Sequence, residues 1–272
     1  MPELPEVETT RRGLLPHVVG RRVAAMVVRE RRLRWPIESG VETRMQGREI
    51  VALERRGKYL LFRLDSGATL IVHLGMSGSL RVMEQTRIPG KHDHFDVLLD
   101  DGRYLRYTDP RRFGAAILTE SDPLRHPLLA SLGVEPLTDA LTARHMQALF
   151  AGSRQAVKQA LMDSHRIVGV GNIYANESLF RAGIRPTVAA GRISLARLEK
   201  LADAVKQTLA AAIEAGGSTL RDFVGGDGKP GYFQQQYYVY DRANQPCRVC
   251  GTAIRQLRLG QRSTFYCDKC QK

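Results

Sequence analysis

Four cysteines constrain this chain more than any other feature, because all of them fall between residues 247 and 270. Cys247-Arg-Val-Cys250 and Cys267-Asp-Lys-Cys270 are separated by sixteen residues, a C-x2-C-x16-C-x2-C pattern. Each C-x2-C turn can aim two thiolates at one metal, and the spacing suits a tetrahedral four-thiolate zinc site. Four thiolates complete the coordination shell, so one such zinc ion is structural and leaves no open position for catalysis. The intervening runs IRQLR and STFY are long enough for a β-hairpin. A tail this short buries little core, so metal binding supplies folding free energy. On spacing alone the alternatives are a redox pair or two local disulfides. A disulfide-stapled secreted domain spreads its cysteines through the chain, so this clustering favours a reducing compartment, the cytoplasm.

The remainder is large enough for about two domains: 272 residues, 43% hydrophobic. No run of about 18 apolar residues occurs, so no membrane span is expected. The start, MPELPEVETT, is acidic and lacks an apolar core, so it does not read as a signal peptide. Lys and Arg total 41 against 28 Asp and Glu, a net charge of +13. That excess suits a polyanionic partner, most simply nucleic acid. Thirty-three of the 41 are Arg, which fits either phosphate contact or an Arg-rich coding bias. The segment 237–272 has seven basic and two acidic residues, a net +5.

Residues 6–15 are helix-compatible, with Pro16 and Gly20 expected to break the helix. Strand-like runs follow at 22–29, 58–64, 68–74, 94–99 and 115–120, separated by turns such as Asp65-Ser66-Gly67. Many short strands close together suggest an antiparallel sandwich or barrel. The segment 122–140, with three prolines, reads as a linker. Helical patterns then dominate at 143–150, 154–163, 173–183 and 194–216, the last with Ser194 as cap and Gly216-Gly217 as stop. Residues 218–236 contain VGGDGKPGY and read as a mobile loop.

Removal of Met1 exposes Pro2 as a secondary α-amine. An α-amine has a pKa of about 7.7–8.0 against about 10.4 for lysine, so it is a ready nucleophile at neutral pH without burial. Against a carbon of aldehyde or acetal character it forms an iminium. Glu3 can donate a proton to a departing oxygen, and Glu6 can face the same site from the first helical turn. Taken alone, the same residues read first as an acidic helix start with an N-terminal proline.

The combination of motifs is more specific. Pro2-Glu3-Leu4-Pro5-Glu6-Val7-Glu8-Thr9, RRGKYLLF (55–62), HLGMSGSL (73–80), KHDH (91–94), YTDPRRFG (107–114), VGVGNIYANESLF (168–180), DGKPGYF (227–233) and the cysteine tail together resemble the bacterial formamidopyrimidine-DNA glycosylases. The matches run in chain order from residue 2 to 272. The resemblance implies an α+β chain: an N-terminal antiparallel β-sandwich with an attached N-terminal helix, then a helical helix-two-turn-helix domain with a zinc-finger β-hairpin. The boundaries expected are 1–132 for the catalytic sandwich, 133–225 for the helical domain, 226–236 for the end of a lesion-covering loop, and 237–272 for the zinc finger.

It also implies a monomeric bacterial repair enzyme, associated with the nucleoid through damaged double-stranded DNA. Such enzymes excise 8-oxoguanine and formamidopyrimidines, then cut the strand by β- and δ-elimination. Pro2 matches the nucleophile, Glu3 the general acid, Lys58 the catalytic lysine, and Arg262 the hairpin arginine that binds phosphates beside the flipped nucleotide. Without the family, Lys58 and Arg262 read as solvated surface cations, and Met76 as a core residue. In the family a Met and an Arg/Phe pair fill the gap left by the flipped base, matched by Met76, Arg111 and Phe113. His92, Arg111, Arg154 and Asn172 match contacts to DNA, Lys158 is a further phosphate candidate, and Glu177 matches an acid near the active site. Two other readings remain: an endonuclease VIII-like enzyme for oxidised pyrimidines, and a non-catalytic zinc-ribbon DNA-binding protein.

Overall fold

The computed structural model describes residues 2–84, 87–217 and 237–272. They form two compact units, one of residues up to 130 with 215–217, the other of residues 131–214 with 237–272. The loop expected at 218–236 lies outside the described residues. Among those described, no helix is long and apolar enough to cross a membrane.

The first unit opens with α1 (Leu4–Val18), which buries Leu4, Val7, Leu14 and Val18 along one face. The helix does not break at Pro16 as expected but runs two residues further. A proline this close to the C-terminal end removes one intrahelical bond, and the Val19 N–H closes the last turn on the Leu15 carbonyl at 3.3 Å. Eight strands follow: β1 (Arg21–Val28), β2 (Glu49–Arg56), β3 (Tyr59–Leu64), β4 (Thr69–His73), β5 (Ser79–Met83), β6 (Asp93–Leu99), β7 (Tyr104–Thr108) and β8 (Ala115–Thr119), with a short α2 (Val41–Met45) before β2. Strands β2, β5 and β7 lie outside the runs that the sequence pattern marks. Their arginines and glutamates (EIVALERR, SLRVM, YLRYT) dilute the apolar alternation.

The strand order is β5-β7-β6-β1-β2-β3-β4-β8, and every named pairing is antiparallel. β1 belongs to both halves. Arg21 and Arg22 pair with β2, whereas Val23–Val28 pair with β6 across a register shift between Val23 and Ala25. The two halves meet across one core, in which Phe62, Leu70 and Val72 lie with Phe95, Val97 and Leu105. The fold is the expected sandwich, closed by a strand that changes partners at a bulge.

Glu8 ties α1 to this sandwich. It is 8% exposed and pairs with Arg11 (2.8 Å), Arg12 (3.0 Å) and Arg55 (3.1 Å). Burial alone would raise its pKa, but the hydrogen bonds and charges of those guanidiniums outweigh it and hold the carboxyl at about 2. A depressed folded pKa gives stability that is fully present above the unfolded value of 4.5 and is lost as pH falls toward 2. Urea unfolding from about pH 5 to about pH 2.5 should lose roughly 2–3 kcal/mol through this group. Glu8→Gln should flatten that part of the profile; an unchanged profile would contradict the assignment.

The second unit contains α4 (Ala143–Phe150), α5 (Val157–Leu161), α6 (Asn172–Arg181) and α7 (Leu195–Glu214), the short α3 (Pro127–Ala130) lying before it in the first. The Thr142 hydroxyl caps α4 by accepting the His145 N–H at 3.1 Å. α5 is shorter than the expected 154–163. Residues 153–156 pair with the backbone near 190 instead, the Ala190 N–H donating to the Gln155 carbonyl at 2.8 Å. The hairpin forms from β9 (Arg255–Leu259) and β10 (Arg262–Tyr266). Its base packs Val239, Ile254 and Phe265 against Phe180 of α6, with Cys247 and Cys267 in the same cluster.

Candidate active site and nucleic-acid contacts

In the first unit Pro2 is buried, one residue ahead of the cap of α1. Glu3 caps that helix and is 2% exposed; its N–H donates to Glu6 Oε2 at 2.9 Å. Glu6, 0% exposed, thus holds the backbone turn beside Pro2. Lys58 lies in the two-residue turn joining β2 to β3, half-buried, after Gly57 at φ 57°. A glycine at positive φ in the first central position is what a tight hairpin of the type II′ class requires. The β3–β4 register then sets Tyr59 against His73, with ring centroids 4.7 Å apart.

His73 is a site residue that the sequence does not mark. Its Nδ1 accepts the Gly75 N–H at 3.0 Å, which leaves the ring proton on Nε2. Burial, with the Lys58 and Arg34 charges, lowers its pKa to about 4, so at neutral pH it is an uncharged N–H donor close to a lysine.

Met76, Arg111 and Phe113 are brought together by Asp109, which is 0% exposed. Asp109 Oδ1 accepts the Ser77 hydroxyl at 2.7 Å, and Oδ2 accepts the Gly114 N–H at 2.9 Å and the Tyr107 hydroxyl at 3.2 Å. Ser77 in turn accepts the Arg111 N–H at 3.1 Å. A Cβ on Gly75, at φ +68°, would lie 2.6 Å from the Gly114 nitrogen, so only glycine lets these loops touch. On this base Met76 is half-buried, Arg111 is exposed with its guanidinium 4.7 Å over the Phe113 ring, and Phe113 is 42% exposed. The exposed His92 joins the same group through its carbonyl, which accepts the Asp109 N–H at 3.0 Å. Asp109 is a second residue that sequence reasoning missed; its one signal is the Thr108-Asp109-Pro110 turn.

In the second unit Asn172 begins α6 after an extended Gly171, and its Oδ1 is buried without a hydrogen-bond partner among the described residues. Backbone N–H groups at such an end favour an anion. Asn176, one turn on, donates to the Asn172 carbonyl at 2.6 Å and accepts the Phe265 N–H of β10 at 2.8 Å. Arg262 is exposed at the start of β10, and Arg154 is exposed in the segment before α5.

Lys158 departs from the expected phosphate contact. It is 1% exposed, and its Nζ donates to the Ser263 carbonyl (2.8 Å) and the Thr264 hydroxyl (2.7 Å). It is therefore an internal clamp on the strand that carries Arg262. Glu177 is likewise structural. At 1% exposure, its carboxylate accepts the N–H groups of Tyr238 (2.9 Å), Val239 (3.0 Å) and Tyr240 (2.8 Å). Burial raises its pKa against those three bonds. Glu177→Ala should cost about 3 kcal/mol by leaving one buried and two partly buried N–H groups without their acceptor, measurable by urea unfolding of the zinc-loaded protein. A loss below about 1 kcal/mol would show that the anchor is not needed.

The four cysteine Sγ atoms all lie within 4.8 Å of one another. The Cys247–Cys270 and Cys250–Cys267 separations are 3.9 and 3.4 Å, too long for disulfides. A tetrahedron with metal–sulfur bonds of about 2.3 Å has edges of about 3.8 Å, so the set fits zinc.

Family models match the chain in order: the formamidopyrimidine-DNA glycosylase N-terminal domain over residues 1–116, the H2TH domain of the same glycosylases over 132–224, and the zinc finger found in FPG and IleRS over 244–272. The sandwich, the helix-two-turn-helix unit and the thiolate hairpin define a zinc-finger DNA glycosylase, with one structural zinc at the four cysteines. The formamidopyrimidine-DNA glycosylase of Pseudomonas putida (strain GB-1) is 58% identical over 272 residues, covering 100% of both chains. The crystal structure of the MutM (Fpg) protein from Thermus thermophilus is similar with a TM-score of 0.90 at 38% identity, over 99% of this chain and 98% of that one. Wild-type Lactococcus lactis Fpg, solved with DNA containing N7-benzyl-Fapy-dG, is similar with a TM-score of 0.92 at 30% identity over 100% of both. The chain belongs to the formamidopyrimidine-DNA glycosylase family.

Proposed function

We propose that this protein is a bifunctional base-excision-repair enzyme that removes oxidised purines from duplex DNA and then cleaves the abasic strand. The observation that carries this reading is the full-length family match, which begins at the Pro-Glu start and ends beyond the zinc hairpin. The Pro2 amine attacks the deoxyribose C1′, the glycosidic bond breaks, and the damaged base leaves with the bonding pair and a proton. Glu3 protonates the ring oxygen as the C1′–O bond opens, which gives an iminium between Pro2 and C1′. Loss of a C2′ proton expels the 3′ phosphate, a second elimination expels the 5′ phosphate, and water releases the sugar fragment from Pro2. The same amine thus serves as nucleophile and electron sink.

Lys58 and neutral His73 supply a cation and an N–H donor for a phosphate oxygen next to the lesion. Asn172 and the start of α6 supply a second phosphate site, and Arg262 a third. Arg262, as a guanidinium of high pKa, acts by charge rather than as an acid. Met76 and Phe113 enter the stack when the damaged base leaves it, and Arg111 bonds the orphaned partner base. His92 and Arg154 bind the backbone. The enzyme works as a monomer in the bacterial cytoplasm, at the nucleoid.

Cleavage of matched duplexes carrying 8-oxoguanine opposite cytosine or thymine glycol opposite adenine tests the substrate class. The purine lesion should be cut at least about tenfold faster in kcat/KM, which corresponds to about 1.4 kcal/mol of transition-state discrimination. Preference for thymine glycol would move the protein to the endonuclease VIII branch. Cleavage of neither, with DNA binding intact, would favour the binding-protein reading.

A further inference from the structure

The outer face of β5, β6 and β7 holds a depression of about 390 Å³ whose lining includes Arg81, Arg87, Asp93, Arg106 and Thr108. Its charges are unevenly compensated. Arg106 is held by Asp96 through Nε (2.9 Å) and Nη2 (2.8 Å) and by Asp93 at 3.5 Å. Asp96 also takes Arg29 at 2.6 Å. Asp93 accepts the Gly90 N–H at 2.8 Å and the Thr108 hydroxyl. The acidic groups are therefore engaged elsewhere. Arg81 Nε is buried without a hydrogen-bond partner among the described residues. Arg87 contributes its main chain, donating to the Tyr104 hydroxyl at 2.9 Å and accepting from Arg106 at 3.0 Å, while the residue itself is exposed. Burial lowers the Arg81 pKa more than the Asp93 charge raises it, so the protein undercompensates this cation.

Two arginines lining one open depression supply guanidinium donors of the kind that bind the non-bridging oxygens of a phosphodiester. The position argues for a polymer rather than a free anion. β5 is the edge strand of the sheet, and the exposed Lys91 and His92 continue the basic row toward the Asp109 group. We propose that Arg81 and Arg87 form an additional phosphate subsite that grips the duplex backbone beyond the nucleotides flanking the lesion. The proposal rests on the DNA-repair reading, and its test separates the two.

The test uses the full-length zinc-loaded protein and 8-oxoguanine duplexes of about one and a half turns (roughly 15 base pairs) and three turns (roughly 30 base pairs). Kd is measured against salt for wild type, Arg81→Gln, Arg87→Gln and the double variant. Removing one phosphate-neutralising group should lower the slope of log K against log salt by about 0.9. On the long duplex the double variant should therefore drop by roughly 1–2 in slope and bind about tenfold more weakly at low salt. On the short duplex its affinity and cleavage should match wild type. Arg87→Gln keeps the main-chain bonds of that residue, so its effect is readable even if Arg81→Gln unfolds. Unchanged slopes on the long duplex in Arg87→Gln and in any folded Arg81 variant overturn the proposal. So does a wild-type protein whose Arg81-dependent stabilisation by pyrophosphate, at constant ionic strength, comes without any duplex-length effect, since that outcome marks a free-anion site. Borohydride trapping on the short duplex is run alongside: its failure would indict the repair reading and not the subsite.

Discussion

Borohydride added to this protein and a duplex with one 8-oxoguanine opposite cytosine should leave a covalent protein–DNA adduct whose crosslinked peptide begins at Pro2. The expectation follows from acid–base chemistry. An α-amine is about a tenth unprotonated at pH 7, whereas an unperturbed lysine is so to less than about one part in a thousand. The amine at Pro2 is secondary, so its condensation with C1′ gives a charged iminium that hydride reduces to a stable tertiary amine. Retention of Met1 converts that nitrogen into an amide with no nucleophilic pair. A Met1-retaining form should bind lesion DNA with near wild-type affinity yet lose trapping and cleavage by at least about 10³-fold, some 4 kcal/mol. Glu3→Gln should slow base release while leaving the Pro2 amine able to condense with a preformed abasic aldehyde. An adduct mapped to Lys58, or cleavage that persists with Met1 confirmed present, would overturn the assignment of the nucleophile.

Zinc removal should have the second large effect. Structural zinc in small four-ligand sites contributes about 10–16 kcal/mol, as much as the whole stability of a typical domain. Besides its cysteines the hairpin cluster holds, among the described residues, only Phe180, Val239, Ile254 and Phe265, with Tyr238, Tyr240 and Ala243 at its edge, a small core to stand without metal. Chelation, or Cys250→Ser, should therefore unfold β9 and β10, expose Lys158 and Asn176, and disperse Arg262. DNA affinity should fall about 10²-fold or more, with recovery on zinc re-addition to the chelated wild type. Unchanged affinity in a preparation shown to be metal-free would mean that the finger plays no part in binding. The two experiments fail separately, since the first asks about an amine in one unit and the second about a hairpin in the other.

The elements that a sequence shows well are those whose signal is local. The sandwich strands with alternating apolar residues, the long helix at 195–214 and the cysteine spacing carry their own pattern. The charged strands β2, β5 and β7 do not, because their polar residues interrupt the apolar alternation and the partners of those such as Arg55 and Arg106 lie in other elements, Glu8 of α1 and Asp96 of β6. Pro2 and Glu3 have no periodicity at all; only their chemistry and the surrounding motifs point to the roles proposed for them. Lys158 is misread from sequence for a physical reason. It looks like any helix cation until the Ser263 carbonyl, 105 residues on, is known to accept its hydrogen bond. Asp109 is overlooked for the same reason, its first partner Ser77 lying 32 residues away.

If Met76, Arg111 and Phe113 enter the stack as proposed, the Asp109 arrangement bears on how damage is found. A repair protein must pass over a great excess of sound base pairs for every altered one. A probing tip that had to fold at each step would pass that delay on to the whole survey. The loops proposed as that tip are wired in advance by a fully buried carboxylate, so on that reading little ordering entropy is due on contact. Nearly all the work of interrogation then falls on the DNA, and whether the protein stops or moves on depends on how readily each base pair gives way.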